Sequence, residues 1–211
     1  MRTIQRRLDK VNVVKPAITN SQNNPVGLIM DTTYFGRDFG VMVFMDNVSG
    51  RVLHYAFVKY ETNDLYRIGI HAIKDKFALH SITCDGRRGL LGGFGDIPTQ
   101  MCHFHQIAIV RRYLTKNPKH KSSQELLLLV KSLTTSNKQC LGKALDEWYD
   151  KHKDYLNERT TNDEGKSRYT HKRLGRAYHS LKRNLPYLFV CQQNQITHNT
   201  TPNTTNKLEG L

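Results

Sequence analysis

The chain has 211 residues, enough for one large domain or two small ones and for a sizeable buried core. Hydrophobic residues make up 38% and charged residues 24%, which excludes wholesale disorder, and no apolar run approaches the roughly 18 to 20 residues of a membrane span. The 32 Lys and Arg against 18 Asp and Glu leave a net charge of +14, and residues 105–190 alone carry 18 basic against 8 acidic side chains. A surplus so placed points to a polyanionic partner, because each neutralised phosphate releases condensed counterions.

In chain order, residues 1–25 read as a basic and then polar leader ending in a turn-rich linker. The apolar run Val26-Gly27-Leu28-Ile29-Met30 predicts a strand that ends in Asp31. A turn at Gly36-Arg37-Asp38 leads to a second strand over Phe39–Met45, and Asn47-Val48-Ser49-Gly50 leads to a third over Arg51–Val58. Three strands joined by short turns predict an antiparallel meander. The apolar period then changes: Tyr66, Ile70, Ile73 and Phe77 recur at helical spacing behind Asn63, which can cap the helix. Leu79–Cys84 follows as a fourth strand, again ending in an acid, Asp85. A strand reached through a crossover helix lies parallel to its neighbour, so the sheet is expected to be mixed.

Gly86–Gly95 reads as a glycine-rich loop with a short helical turn, lacking the Gly-Lys-Ser/Thr ending of a phosphate loop, and residues 99–104 as a fifth strand. From His105 onward the pattern is helical. Stripes run through Ile107, Val110 and Leu114, through Leu126–Leu133, through Leu141, Leu145, Trp148, His152 and Tyr155, and through Leu174, Ala177, Tyr178, Leu181 and Leu185. Trp148 reads as core. Tyr187–Cys191 reads as a short strand or extended piece, followed by a polar loop and a helix start at Asn206. Four dispersed cysteines predict reduced thiols and a cytosolic setting.

Acids at the C-terminal ends of two neighbouring strands can share divalent cations, since carboxylate oxygens suit Mg²⁺ or Mn²⁺. Taken alone, Asp31 and Asp85 could equally be polar strand ends. Asp38, Asp46, Asp163 and Glu164 compete for the role, and each reads as a solvated turn or loop acid. Cys102-x-x-His105 is half of a zinc site with no second pair at suitable spacing.

Four segments occur in order: Asp31-Thr32-Thr33-Tyr34-Phe35-Gly36, Cys84-Asp85-Gly86, Met101-Cys102-His103-Phe104-His105-Gln106, and Thr204-Thr205-Asn206-Lys207-Leu208-Glu209-Gly210. Together they resemble the catalytic core of bacterial insertion-sequence transposases of the DDE class, in the Mutator-like superfamily. The resemblance spans about residues 26–211. It implies an α/β fold with a ribonuclease H-like mixed sheet at 26–104, a mainly helical insertion at 105–190 before the last catalytic acid, and a closing segment at 191–211. It implies Asp31, Asp85 and Glu209 as catalytic acids holding two Mg²⁺ or Mn²⁺ ions, with Cys102 and His105 near the site, either orienting the second acid or contacting DNA. Double-stranded DNA would be the partner, both transposon ends and target, bound by a homo-oligomer in the cytoplasm at the nucleoid. Lys172, Arg173, Arg176, Lys182 and Arg183, with Arg87 and Arg88, would meet phosphates. The family carries an N-terminal DNA-binding domain and a longer helix after its third acid, so the resemblance implies a core shortened at both ends. The alternatives are a noncatalytic nucleic-acid-binding remnant and a ribonuclease H-like nuclease.

Overall fold

The computed structural model describes residues 25–193 and 201–209, the side chain of Glu209 excepted. The predicted leader therefore lies outside the described residues, as does most of the polar loop before Thr201.

Strand β1 (Val26–Phe35) is buried on both faces through Met30 and then emerges toward solvent. It runs five residues beyond the apolar stretch that predicts it, because the ladder to β2 (Phe39–Asp46) continues out to the Phe35–Phe39 pair. Gly36 closes that hairpin at φ +67°, a left-handed conformation that glycine adopts without steric cost. Strand β3 (Val52–Val58) pairs antiparallel with β2 after a turn that Asp46 organises, its carboxylate accepting from the Val48 and Ser49 amides at 3.2 and 3.0 Å. Asp46 is thus a turn residue.

Helix α1 (Asn63–Lys74) lays Tyr66, Ile70 and Ile73 on the sheet. Its cap is Thr62 and not Asn63: Thr62 has the extended backbone a cap requires and its hydroxyl accepts from the Leu65 amide at 3.2 Å. Asn63 instead bonds Arg87 and the Arg88 carbonyl. Strand β4 (Leu79–Cys84) then runs parallel to β1, and β5 (Thr99–Met101) parallel to β4, so the mixed sheet has the order β3-β2-β1-β4-β5. This architecture is α/β and compatible with a ribonuclease H-like fold. The loop between β4 and β5 packs inward through Leu90, Leu91 and Phe94.

Helices α2 (His103–Leu114), α3 (Lys121–Lys131), α4 (Lys138–Asn157) and α5 (Lys172–Leu188) form the second half, with α2 and α4 packed on α5. Trp148 is core: it stacks on Tyr178 and donates to the Ser122 carbonyl at 3.1 Å. Gln106 of α2 donates to Ser180 and accepts from Asn184 of α5, tying the two helices with buried, satisfied amides. Apolar side chains of both halves form one continuous core, from Leu28 and Ile82 to Leu145 and Leu181.

Two expectations are corrected here. The second half is not wholly helical: β6 (Arg159–Thr161) and β7 (Ser167–Tyr169) make a two-stranded hairpin. All of its residues are exposed, so no apolar period marked it. Tyr187–Cys191 is not extended, because α5 runs through Pro186 to Leu188 and a short helix α6 (Val190–Gln193) follows. A five-residue apolar run cannot distinguish strand from buried helix by periodicity. Among the described residues, no helix is long and apolar enough to cross a membrane.

The contact between α1 and the sheet is unusually close at Gly69, where an added Cβ would lie 2.3 Å from the ring of the fully buried Phe44. Gly69→Ala should therefore lower unfolding stability by about 1–3 kcal/mol in a urea melt, although glycine to alanine inside a helix ordinarily stabilises by up to about 1 kcal/mol.

Candidate active site at the ends of the parallel strands

The β1–β4 register pairs Leu28 with Ile82 and Ile29 with Thr83. Asp31 lies two residues beyond Ile29 within β1, and Asp85 directly follows the last residue of β4, so the two acids follow the paired stretch on adjacent parallel strands. Residues two apart in a strand share a face, so Asp31 projects from the face that carries Ile29, near enough for its charge to act on Asp85. Asp31 accepts from the Thr32 amide at 2.7 Å, and Asp85 accepts from the Arg87 amide at 3.2 Å. Burial pushes the Asp85 carboxyl above its ordinary range; the Arg87 amide works against this and the Asp31 charge adds to it.

A second layer holds the residues beside both acids. Arg87 donates to the Glu61 carbonyl at 2.7 Å, to Asn63 at 3.1 Å and to the Glu61 carboxylate at 3.3 Å. The Tyr66 hydroxyl donates to the same carboxylate at 2.5 Å and shares a 2.9 Å hydrogen bond with Thr32. Burial first, and then Glu61, raise the Tyr66 hydroxyl far above its usual range, so it serves as a neutral donor. Glu61 and Tyr66 thereby join the residue after Asp31 to the loop after Asp85. The sequence did not single out Glu61 as a site residue.

Cys102 lies at the start of α2, directly after β5, with its amide bonded to the Cys84 carbonyl at 2.8 Å. The spacing to His105 is one helical turn, which brings the imidazole over the thiol and within 4.0 Å of the Asp31 carboxylate. His105 is pushed up to about 9, chiefly by its hydrogen bond with Cys102, against burial and with help from Asp31 and Asp85. Burial raises the Cys102 thiol, but hydrogen bonds from His105 and Thr205 outweigh it and the net shift is downward.

Residues 201–209 return to this place. The Thr83 hydroxyl donates to the Pro202 carbonyl at 2.8 Å, the His103 amide to the Asn203 carbonyl at 2.8 Å, and helix α7 (Asn206–Glu209) packs on β1. The side chain of Glu209 lies outside the described residues. The structure thus brings together Asp31, Asp85, Cys102 and His105, with Arg87 behind them. Lys172, Arg173, Arg176, Lys182 and Arg183 lie exposed on α5, and Arg88 is exposed in the loop after Asp85. Two of the α5 cations are engaged: Arg173 donates to the Arg112 and Tyr113 carbonyls at the end of α2, and Lys182 pairs with Asp146. Asp38, Asp163 and Glu164 are exposed.

No group of three or more His, Cys, Asp or Glu side chains gathers into a metal site among the described residues. The pair Asp31 and Asp85 fits a hard divalent cation in kind: both offer carboxylate oxygens, and their mutual repulsion is what a cation between them would relieve.

No family model matches the chain, and no curated protein matches it. Among solved structures, it is similar to a chain of the cryo-EM structure of simian T-cell lymphotropic virus intasome in complex with PP2A regulatory subunit B56 gamma, at 15% identity and a TM-score of 0.30. The similarity covers 89% of this chain and 55% of that one, so this chain spans about half the length of its neighbour.

An acid whose folded pKa is raised stabilises the fold below its ordinary value of 3.8 and loses that contribution as pH rises. Asp85→Asn, which can still accept from the Arg87 amide, should gain about 0.5–2 kcal/mol at pH 7 in urea unfolding, and the gain should vanish below about pH 3.8.

Proposed function

We propose that the chain is the catalytic core of a DDE-class DNA transposase, cutting DNA at the ends of a mobile element and joining the freed 3′-hydroxyl to target DNA. The observation that carries this reading is the proximity of Asp31, within β1, to Asp85, directly after β4, on adjacent parallel strands of a β3-β2-β1-β4-β5 sheet. Asp31 and Asp85 would hold Mg²⁺ or Mn²⁺, with Glu209 completing the set. Bound there, the two cations would supply Lewis-acid stabilisation to the attacking and leaving oxygens of an in-line displacement.

The chain's own residues do the rest. His105, carrying a proton, faces Asp31 at 4.0 Å and favours its charged form. Arg87, held by Glu61 and Asn63, sets the loop that carries Asp85. The exposed cations of α5, with Arg88, would position phosphates and supply affinity without reading sequence. In the first step water attacks a phosphodiester and the 3′-oxygen leaves as a hydroxyl; in the second that hydroxyl attacks a target phosphodiester, one P–O bond forming as another breaks. Residues 105–190 serve as the basic insertion between the second and third acids.

Asp31→Asn should retain DNA affinity within about twofold, since it removes no phosphate contact, while metal-dependent strand cleavage falls by at least about 100-fold. Gel-resolved cleavage and strand-transfer assays check this. Equal cleavage by variant and unmodified chain would remove Asp31 from the mechanism, and cleavage without joined product would indicate a hydrolytic nuclease.

A further inference from the structure

Residues 201–208 lie 100 to 160 residues beyond the groups they bond, and most of these bonds fall on Thr83, Cys102 and His103, near Asp85. Thr205 is completely buried and Thr201 nearly so. The Thr205 amide and hydroxyl both donate to the Cys102 sulfur, at 3.4 and 3.5 Å. Pro202 and Asn203 accept from Thr83 of β4 and from the His103 amide, and the Lys207 ammonium donates to the Asn47 carbonyl at the far end of β2. The anchors therefore come from β4, the start of α2 and the β2–β3 turn.

This arrangement matters because α7 has four residues and cannot hold its own conformation, so whatever it carries is placed by its anchors. Sulfur suits the central anchor. A thiol is large and polarisable, and it takes two donors from Thr205 at lengths a smaller oxygen acceptor would leave open. The same thiol interacts with His105, whose ring faces Asp31. His105 lies 4.0 Å from Asp31 and one helical turn from Cys102, while Thr205 bonds Cys102 directly and Glu209 follows four residues later.

We propose that Cys102 and Thr205 are positioning residues: together they latch the segment bearing the third acid against the start of α2, beside the strand that leads to the second acid. This inference rests on the reading of Glu209 as the third acid. It gives the cysteine of the Cys-x-x-His pair a role that requires neither zinc nor DNA contact: it fixes the returning segment, with His105 4.0 Å from Asp31 beside it.

The test uses the full chain with Thr205→Val, Cys102→Ala and Cys102→Ser. Amide hydrogen exchange followed by mass spectrometry should show residues 201–209 opening about tenfold more readily in Thr205→Val and Cys102→Ala, with β1 and β4 unchanged. Mn²⁺-dependent cleavage should fall about tenfold in kcat at unchanged KM for DNA, with the Mn²⁺ concentration for half-maximal rate shifted upward. Cys102→Ser, which keeps an acceptor, should recover part of both. Unchanged exchange at 201–209 in a folded variant would overturn the latch. Faster exchange with cleavage and its metal dependence unmoved would overturn the positioning role. If the unmodified chain cleaves nothing with any metal, the transposase reading fails, and the exchange measurement alone decides the latch. Should Cys102→Ala fail to fold, Thr205→Val carries the test, because it keeps the shape of the buried side chain.

Discussion

Everything at the site depends on one ladder, the parallel pairing of β1 with β4 from Val26–Leu79 to Ile29–Thr83. Side-chain direction in a strand alternates with a period of two, so a slip of one residue would turn one acid to the opposite face. The register is held by burial on both faces: Leu28, Met30, Ile82 and Cys84 on one, Ile29, Ser81 and Thr83 on the other. The crossover helix α1 adds a steric lock, because Gly69 lets it settle directly on Phe44. Packing far from the chemistry thus sets where two carboxylates meet.

Placing two carboxylates side by side, one of them substantially buried, works against stability. The chain offsets this with donors and with charge: backbone amides on Asp31 and Asp85, the Arg87 guanidinium tied to Glu61, and a His105 imidazole whose affinity for its proton is raised by Cys102 and the acids. These contacts restrain both carboxylates, as the proposed cation site requires. In the helical half the opposite imbalance holds. The helical half gathers most of the positive charge, and much of α5's basic face looks outward.

Much of this was legible in the sequence because it was written in apolar runs. The buried part of β1 and the end of β4 beside Asp85 follow from Val26–Met30 and Leu79–Cys84, though β1 runs past Asp31 to Phe35, and the change to helical spacing at Tyr66 forces the parallel crossover. The partnership of Cys102 with His105 follows from one helical turn of spacing. What was hidden was long-range and polar. Nothing about Glu61 or Thr205 announces a role locally: each matters through partners 26 and 103 residues away, Arg87 and Cys102. The β6–β7 hairpin escaped because it buries nothing, and the end of α5 because Pro186 and a short apolar run imitate a break. Thr62 and Asn63 are both competent caps, and the choice between them came from what Asn63 could reach across space.

The central claim, that Asp31 and Asp85 form one cation site, is tested most directly by crystallising the full chain with Mn²⁺ and locating the ion by its anomalous signal. The account predicts a peak at about 2.0–2.3 Å from a carboxylate oxygen of each aspartate. A well-occupied peak bound elsewhere, with Asp31 and Asp85 unliganded, would contradict it.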